Sequence, residues 1–132
     1  NEAERELKAA LKRNWNAALV AAYGEVRGDE PAKQLQTAEG WLKTYPEDAV
    51  LLTSAARLCM ANELWGKARS YLESSLALGP SPETYALYGR LLAQLGEGEG
   101  AAVAYRAGLA LVSPAARDPA PPQLGPPMVA GK

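Results

Sequence analysis

The stretch LWGKARSYLESSLALGP, Leu64 to Pro80, decides whether this chain carries a reactive motif or one unit of a repeated scaffold. Its Trp-Gly-Lys is similar to the end of a phosphate-binding loop, but the glycine spacing before it and the Ser or Thr after it are missing. Its serines have no histidine to activate them, because the chain of 132 residues contains none. We therefore predict a scaffold helix in which Trp65 packs at the start and Lys67 is solvated.

This stretch is one copy of a longer repeat. Pro46, Pro80 and Pro114 are spaced by 34 residues, and each follows a helical run of similar character. Ala68 and Ala101 hold corresponding places, and each is followed one helical turn later by a large residue. A small residue followed by a large one allows a second helix to pack closely against a first. Strand-like alternation is missing from the sequence, so we predict an all-α fold built from helix pairs.

The spacing of apolar residues predicts about seven helices. The first covers residues 2–13, and three pairs follow at 15–27 with 30–44, 47–61 with 64–78, and 81–95 with 98–112. Residues 1–13 are then the second helix of a truncated preceding unit, and residues 14–112 form three helix pairs. Residues 113–132 form a Pro-, Gly- and Ala-rich tail that we expect to be irregular. A tail without a task is favoured over one docked in a groove of its own or another copy, which would allow self-association.

Short polar and glycine signals mark the expected helix ends. Pro31 suits a first helical turn, and Asp48 and Ser81 are candidate N-caps. Gly96 suits the left-handed cap that ends a helix, and Asn62 is expected to take the same role one repeat earlier.

The composition excludes several classes of function. Lys and Arg number 14 against 15 Asp and Glu, so no broad cationic field is available to hold nucleic acid. One cysteine and no histidine exclude an internal disulfide, a Cys/His zinc site and histidine ligation of haem. Cys59 lies in an apolar stripe and is expected to be a buried structural thiol. We predict no catalytic residues, no metal and no cofactor.

The helix pairs resemble the tetratricopeptide repeat. In the last unit Gly89, Gly96 and Ala101 stand where that repeat favours a small residue, glycine and alanine. The first unit is degenerate, with Ala22 in the small position and Gln34 where alanine is usual. The resemblance implies an α–α superhelix, a solenoid whose first helices line a concave binding face. The Lys and Asn residues of the repeat's carboxylate clamp are not reproduced.

A longer stretch, from Leu11 to Glu97, resembles the C-terminal repeat region of the HemY-type bacterial inner-membrane proteins, and LWGKARSYLESSL is its most characteristic part. The resemblance implies a membrane-anchored portion before this soluble domain, which would lie on the cytoplasmic side of the inner membrane. It also implies a role in a late stage of haem synthesis.

The repeat register predicts the side chains of the concave face. Arg57 and Arg90 are equivalent, and their planar guanidinium groups could grip carboxylates of a partner peptide or the propionates of a porphyrin. Alternatively, each pairs with a nearby acid. The expected function is a non-enzymatic scaffold for protein partners, with haem-synthesis enzymes implied by the resemblance, and the alternative is a porphyrin or haem carrier. The predicted binding residues are Leu19, Tyr23, Arg27, Thr53, Arg57, Met60, Glu83, Arg90 and Gln94.

Overall fold

The computed structural model describes residues 1–113, and these residues form seven helices and no strand. The predictions of an all-helical fold and of seven helices are confirmed. Except for Ser113, the tail whose character the sequence predicted lies outside the described residues. The helices are α1 (Glu2–Arg13), α2 (Ala17–Glu25), α3 (Pro31–Thr44), α4 (Ala49–Ala61), α5 (Trp65–Leu78), α6 (Pro82–Gln94) and α7 (Gly98–Val112).

The helices begin at the residues that the sequence marked. The Asp48 carboxylate accepts a hydrogen bond from the Leu51 N–H at 3.1 Å, and the Ser81 hydroxyl accepts one from the Thr84 N–H at 3.0 Å. Each side chain satisfies a backbone donor that has no partner within its helix. Pro31 is the first residue of α3, where its missing N–H costs nothing.

The left-handed residue that ends a helix lies where it was predicted after α6 but not after α4. Gly96 has φ +80°, the left-handed conformation that ends α6. In the equivalent turn after α4 it is Glu63, with φ 59°, and not Asn62 that takes this conformation. Asn62 instead donates its side-chain amide to the carbonyls of Leu58 and Pro31. The predicted left-handed cap at Asn62 is therefore wrong by one residue.

Helix α4 is the centre of the packing. It contacts α2, α3, α5 and α6, while α1 packs on α2 and α7 packs on α6. One apolar core extends from α1 to α6, and a smaller cluster formed by Leu92, Ala101 and Ala104 joins α6 to α7. Because α4 is covered on several sides, six consecutive residues of it, 51–56, are buried.

Small residues bring the later helices close together. Ala68 of α5 is fully buried against the core. A Cβ atom added to Gly108 of α7 would lie 2.9 Å from the Cβ atom of Tyr85 on α6, which is too close for an unshifted contact. One added to Gly89 would lie 2.6 Å from the Tyr105 ring. The pair α6/α7 therefore depends on residues without side chains at its points of contact.

The prediction that α2 and α3 pack directly against each other as a helix pair is wrong for their backbones. No Cα atom of α2 lies within 8 Å of one in α3. The close approach of α2 is to α4, where a Cβ atom on Gly24 would lie 2.7 Å from the Ser54 Cα atom. Gly24, and not Ala22 as predicted, is thus the residue whose small size sets a helix distance in this unit.

Gln34 occupies the space between α2 and α3. Its side chain is 3% exposed, and its amide nitrogen donates to the carbonyls of Tyr23 and Val26, both at 3.0 Å. Its side-chain oxygen accepts from the Gly28 N–H at 3.0 Å. These carbonyls lie at the C-terminal end of α2, where backbone acceptors have no intrahelical partner. Gln34 therefore caps α2 from a neighbouring helix.

Helix α3 is tied to α5 by a polar contact as well as by its packing on α4. The Glu39 carboxylate accepts a hydrogen bond from the Tyr71 hydroxyl at 2.6 Å and lies 2.8 Å from the Lys67 ammonium. Lys67 is exposed to solvent, as predicted, and it also has a carboxylate partner. Trp65 begins α5 and packs against the core, as predicted.

Among residues 1–113, no helix combines the length and the apolar character needed to cross a membrane.

Candidate functional site

Helices α2, α4 and α6 line a shared pocket of about 300 Å³. We call this surface the α2/α4/α6 face. Each contributing helix is the first of its pair, which is the placement that the sequence predicted for binding residues. The pocket walls are mainly apolar, with an arginine, two glutamates and several hydroxyl groups among them. The lining residues are Ala21, Glu25, Ala49, Val50, Thr53, Ser54, Arg57, Gly79, Ser81, Glu83 and Thr84.

A chain of hydroxyl groups forms one side of this pocket. The Thr53 oxygen lies 2.8 Å from the Ser75 oxygen and 2.8 Å from the Thr84 oxygen, and Thr84 lies 2.9 Å from Ser81. Ser75 donates to the Ala49 carbonyl at 2.8 Å. The chain joins α4, α5 and α6 through groups that are otherwise buried.

Which hydroxyl donates and which accepts in each of these hydrogen bonds follows from the single proton on each hydroxyl. Ser75 uses its proton on a carbonyl, which cannot donate, so Ser75 must accept from Thr53. Thr53 must then accept from Thr84, and Thr84 from Ser81. Successive hydrogen bonds that run in the same direction polarise one another. Thr53 is thus satisfied within the protein, and its predicted part in partner binding is limited to shaping the pocket.

Arg57 is the cation of the pocket. Burial lowers the pKa of its guanidinium; nearby Glu25 raises it, and the charges of Arg90 and Arg27 lower it. An arginine remains charged under these conditions. Among residues 1–113 its guanidinium makes no hydrogen bond and no ion pair. Its positive charge is therefore partly desolvated and available to a ligand.

The structure brings together the three arginines that the sequence placed on this face. Their mutual effect on the pKa of Arg57 shows that Arg27 and Arg90 lie within electrostatic range of it. Arg27 and Arg90 are exposed, and neither forms an ion pair within the described residues. Neither Arg57 nor Arg90 forms an ion pair with a neighbouring acid within the described residues, although the charge of Glu25 acts on Arg57. Arg69, by contrast, contacts Glu73 at 3.2 Å and Glu97 at 2.8 Å.

The remaining predicted residues separate into two groups. Glu83 lines the pocket, and Gln94 is exposed on α6. Leu19 and Met60 are half-buried and pack against the core, so they offer little surface to a partner. Tyr23 is 1% exposed, packs edge-on against Trp41 with ring centroids 4.8 Å apart, and donates its hydroxyl to Glu4. Its prediction as an apolar contact for a partner is wrong, because it belongs to the interior.

Sequence reasoning missed several residues of the pocket. Glu25 follows the last apolar residues of α2, and its charge matters because it lies near Arg57. Val50 lies one turn before Thr53 and two turns before Arg57, so the helical period predicts a shared stripe. Ser81 was recognised only as a candidate helix cap and Thr84 was not singled out, because nothing in their spacing showed that they face α4.

Comparison with known proteins does not identify a family. No family model matches the chain, and a search of curated proteins finds no match. The chemistry of the face must therefore be inferred from its own residues.

Those residues offer groups that can recognise a charged partner. Cys59 is fully buried, and burial raises the pKa of its thiol to about 12, so it is a protonated core residue. Within residues 1–113 no His, Cys, Asp or Glu side chains gather in a group of three or more suited to a metal ion. The face provides a desolvated cation, two carboxylates and an apolar recess, which together can select a charged segment of a partner.

Proposed function

We propose that this domain is a non-enzymatic scaffold that captures a peptide segment of a partner protein on its α2/α4/α6 face. The observation that carries the proposal is Arg57, a half-buried arginine at the wall of a pocket, which makes no hydrogen bond and no ion pair among the described residues although the charge of Glu25 acts on it. Leaving a desolvated charge unpaired is costly, so an incoming carboxylate gains a charge-assisted hydrogen bond there.

The neighbouring charges define the preferred segment further. Arg90 adds a second exposed cation, and Glu25 and Glu83 line the same pocket as Arg57. A segment with one acidic side chain directed at Arg57 and a basic side chain within reach of either glutamate is complementary to this pattern. Val50 and Ala21 provide the apolar surface for the stem of the acidic side chain.

The superhelical arrangement and the biological setting are parts of the same proposal. In a tetratricopeptide-like solenoid the first helices line the concave surface, which is the usual binding face. The resemblance to HemY-type proteins supports a membrane-anchored parent protein whose partners are enzymes of late haem synthesis. A pocket of about 300 Å³ is at the lower end of the range for small-molecule sites, so we favour a peptide over a porphyrin as its occupant.

The test begins with peptides selected from a random library on the immobilised whole chain. Selected peptides should contain Asp or Glu, and the Arg57→Glu/Arg90→Glu double variant should weaken their binding by at least about tenfold, equivalent to about 1.4 kcal/mol, in calorimetric titration. Helicity should be unchanged. Lys43→Glu/Arg106→Glu is the matched control, since it reverses two exposed charges on α3 and α7 and should bind normally.

Equal affinity for the wild type and the arginine variant would remove both arginines from the mechanism. A saturable, stoichiometric absorbance change on titration with haem or its metal-free precursor would instead favour the carrier function.

A further inference from the structure

A second groove lies between α1 and α3, away from the pocket just described. It has a volume of about 540 Å³ and is lined by side chains of both helices and of the segments that follow them. The residues that give it chemical character are Lys8, Lys12, Trp15, Trp41, Thr44 and Tyr45.

The groove is a consequence of the open first helix pair. Because Gln34 holds α2 and α3 apart, α3 does not close over α1, and aromatic side chains fill part of the space. Trp15 stacks on Tyr45 with ring centroids 4.2 Å apart, and it meets Trp41 edge-on at 5.4 Å. Tyr45 remains 38% exposed. The groove therefore has a rigid aromatic wall that is open to solvent.

The charge of the groove is positive. Lys8 and Lys12 are exposed, and neither forms an ion pair within the described residues. Within the part of the chain that the structure describes, no acidic residue lines this groove. The nearest carboxylate that contacts its wall is that of Asp48, which accepts from the Trp15 ring N–H at 3.2 Å and from the Leu51 N–H as the cap of α4. That carboxylate is held by internal donors and leaves the lysines without a counter-ion.

The adjoining recess limits the length of an anionic ligand. Beyond Lys8 lies a recess lined by the carboxylates of Glu4, Asp29 and Glu30, the last two of which pair with the N-terminal ammonium and with Lys33. An extended polyanion such as a nucleic-acid strand would place phosphates against these carboxylates. A short segment with its negative charges confined to one end avoids them, because like charges in contact oppose binding.

We propose that the α1/α3 groove binds a short acidic segment of a partner protein that carries an aromatic side chain. The aromatic side chain packs on Trp15 and Tyr45, and the flanking carboxylates pair with Lys8 and Lys12. This site is formed by different residues from those of the proposed α2/α4/α6 interaction, so either can fail without the other.

The proposal is tested with a synthetic peptide in which Glu residues flank a single Phe, titrated into the whole chain while tryptophan fluorescence is recorded. Trp15 and Trp41 lie in the groove, so binding should give a saturable change. The Lys8→Glu/Lys12→Glu variant should weaken binding at least about tenfold, since two attractive pairs become repulsive. A peptide with Gln in place of Glu should also bind more weakly.

Controls separate this site from the other. Arg106→Glu reverses an exposed charge on α7 and should bind like the wild type, as should Arg57→Glu/Arg90→Glu. Circular dichroism establishes that each variant is folded, and Lys8→Arg/Lys12→Arg should retain binding. Equal affinity for the Glu and Gln peptides, or loss of binding only in the Arg57/Arg90 variant, would overturn the proposal. Tighter lysine-dependent binding of a single-stranded oligonucleotide would overturn the choice of a peptide.

Discussion

The first and the last helix pairs of this protein solve the same packing problem in different ways. In α6/α7 the helices meet at Gly89 and Gly108, where even a methyl group would clash with a tyrosine on the opposite helix. In α2/α3 the backbones stay apart, and the side chain of Gln34 bridges them. The comparison relates the separation of two helix backbones to the size and polarity of the residue between them.

Gln34, Ala68 and Ala101 occupy positions that the repeat predicted from the sequence makes equivalent. All three are buried, so the position faces the interior in each pair. Alanine leaves room for the partner helix to approach, whereas glutamine adds volume and two polar atoms, which form three hydrogen bonds at position 34. The separation of the α2 and α3 backbones leaves room for the α1/α3 groove. The close packing of the later pairs places α4 and α6 so that both line the pocket around Arg57.

The largest loss of stability should come from replacing Ala68 of the closely packed helices α4 and α5 with glutamine, the residue found at position 34. Ala68→Gln forces an amide into a fully buried contact between α5 and α4, adding overpacking to unsatisfied polar groups. We expect the free energy of unfolding to fall by about 3 to 5 kcal/mol, measured by urea denaturation. Ala77→Gln makes the same change at an exposed position of α5 and should alter stability by less than about 0.5 kcal/mol. Similar losses in the two variants would refute the comparison.

The reverse substitution, Gln34→Ala, should also lower the free energy of unfolding, but by a smaller amount. Gln34→Ala removes the partner of the Gly28 N–H and of two carbonyls at the end of α2. We expect a loss of about 2 to 3 kcal/mol in the free energy of unfolding. Gln36→Ala changes an exposed glutamine of the same helix and is the matched control. If Gln34→Ala were neutral or stabilising, Gln34 would not be the residue that supports the open pair.

A smaller loss of stability should follow from weakening the polar contact of Glu39 with Lys67 and Tyr71, which joins α3 to α5. Burial acts to raise the pKa of Glu39, but its hydrogen bonds with Lys67 and Tyr71 outweigh this, so the pKa lies below its ordinary 4.5. A carboxyl with a lowered pKa stabilises the fold above its unfolded pKa, and this stabilisation is lost as pH falls through the folded pKa.

Glu39→Gln should therefore reduce stability by up to about 1 kcal/mol at neutral pH. The difference from wild type should shrink as the pH falls below 4.5. Denaturation curves recorded across this range provide the measurement, with Glu99→Gln on α7 as the exposed control. A difference independent of pH would show that the carboxylate charge is not responsible.

Effects of similar size but opposite sign should distinguish glycines in the second helices of the two pairs. A Cβ atom on Gly40 of α3 meets nothing within 4 Å, whereas one on Gly108 of α7 lies 2.9 Å from Tyr85. Gly40→Ala should therefore gain about 0.5 to 1 kcal/mol from helix propensity alone. Gly108→Ala should lose about 1 kcal/mol net, because overpacking exceeds the same gain. Thermal denaturation of both variants tests this, and equal shifts in Tm would contradict it.

The sequence predicted the helices well because their signals are local. Apolar spacing, Pro31, Asp48 and Ser81 act within one helix, and each lies where it was expected. The left-handed residue after α4 was missed because Asn62 found other hydrogen-bond partners, one of them the distant Pro31 carbonyl. That choice depends on how α3 sits against α4, which no local pattern contains.

The candidate site was predicted less completely, for the same reason. The repeat register placed Arg57 and Arg90 on one face, since equivalent positions share an orientation. It also placed Tyr23 there, because the register assumes that every pair closes in the same way. The opening of the first pair instead leaves Tyr23 packed against Trp41 in the interior. Repeats that depart from their pattern must therefore be interpreted from their contacts.

The most direct test of the proposed capture of a partner carboxylate at Arg57 uses the arginine side-chain Nε–Hε signals in nuclear magnetic resonance spectra. Titration with a library-selected acidic peptide should shift the signals of Arg57 and Arg90. The signal of Arg69, which already contacts Glu73 and Glu97, should stay in place and serves as the internal control. A bound peptide that leaves the Arg57 signal unmoved would contradict the account.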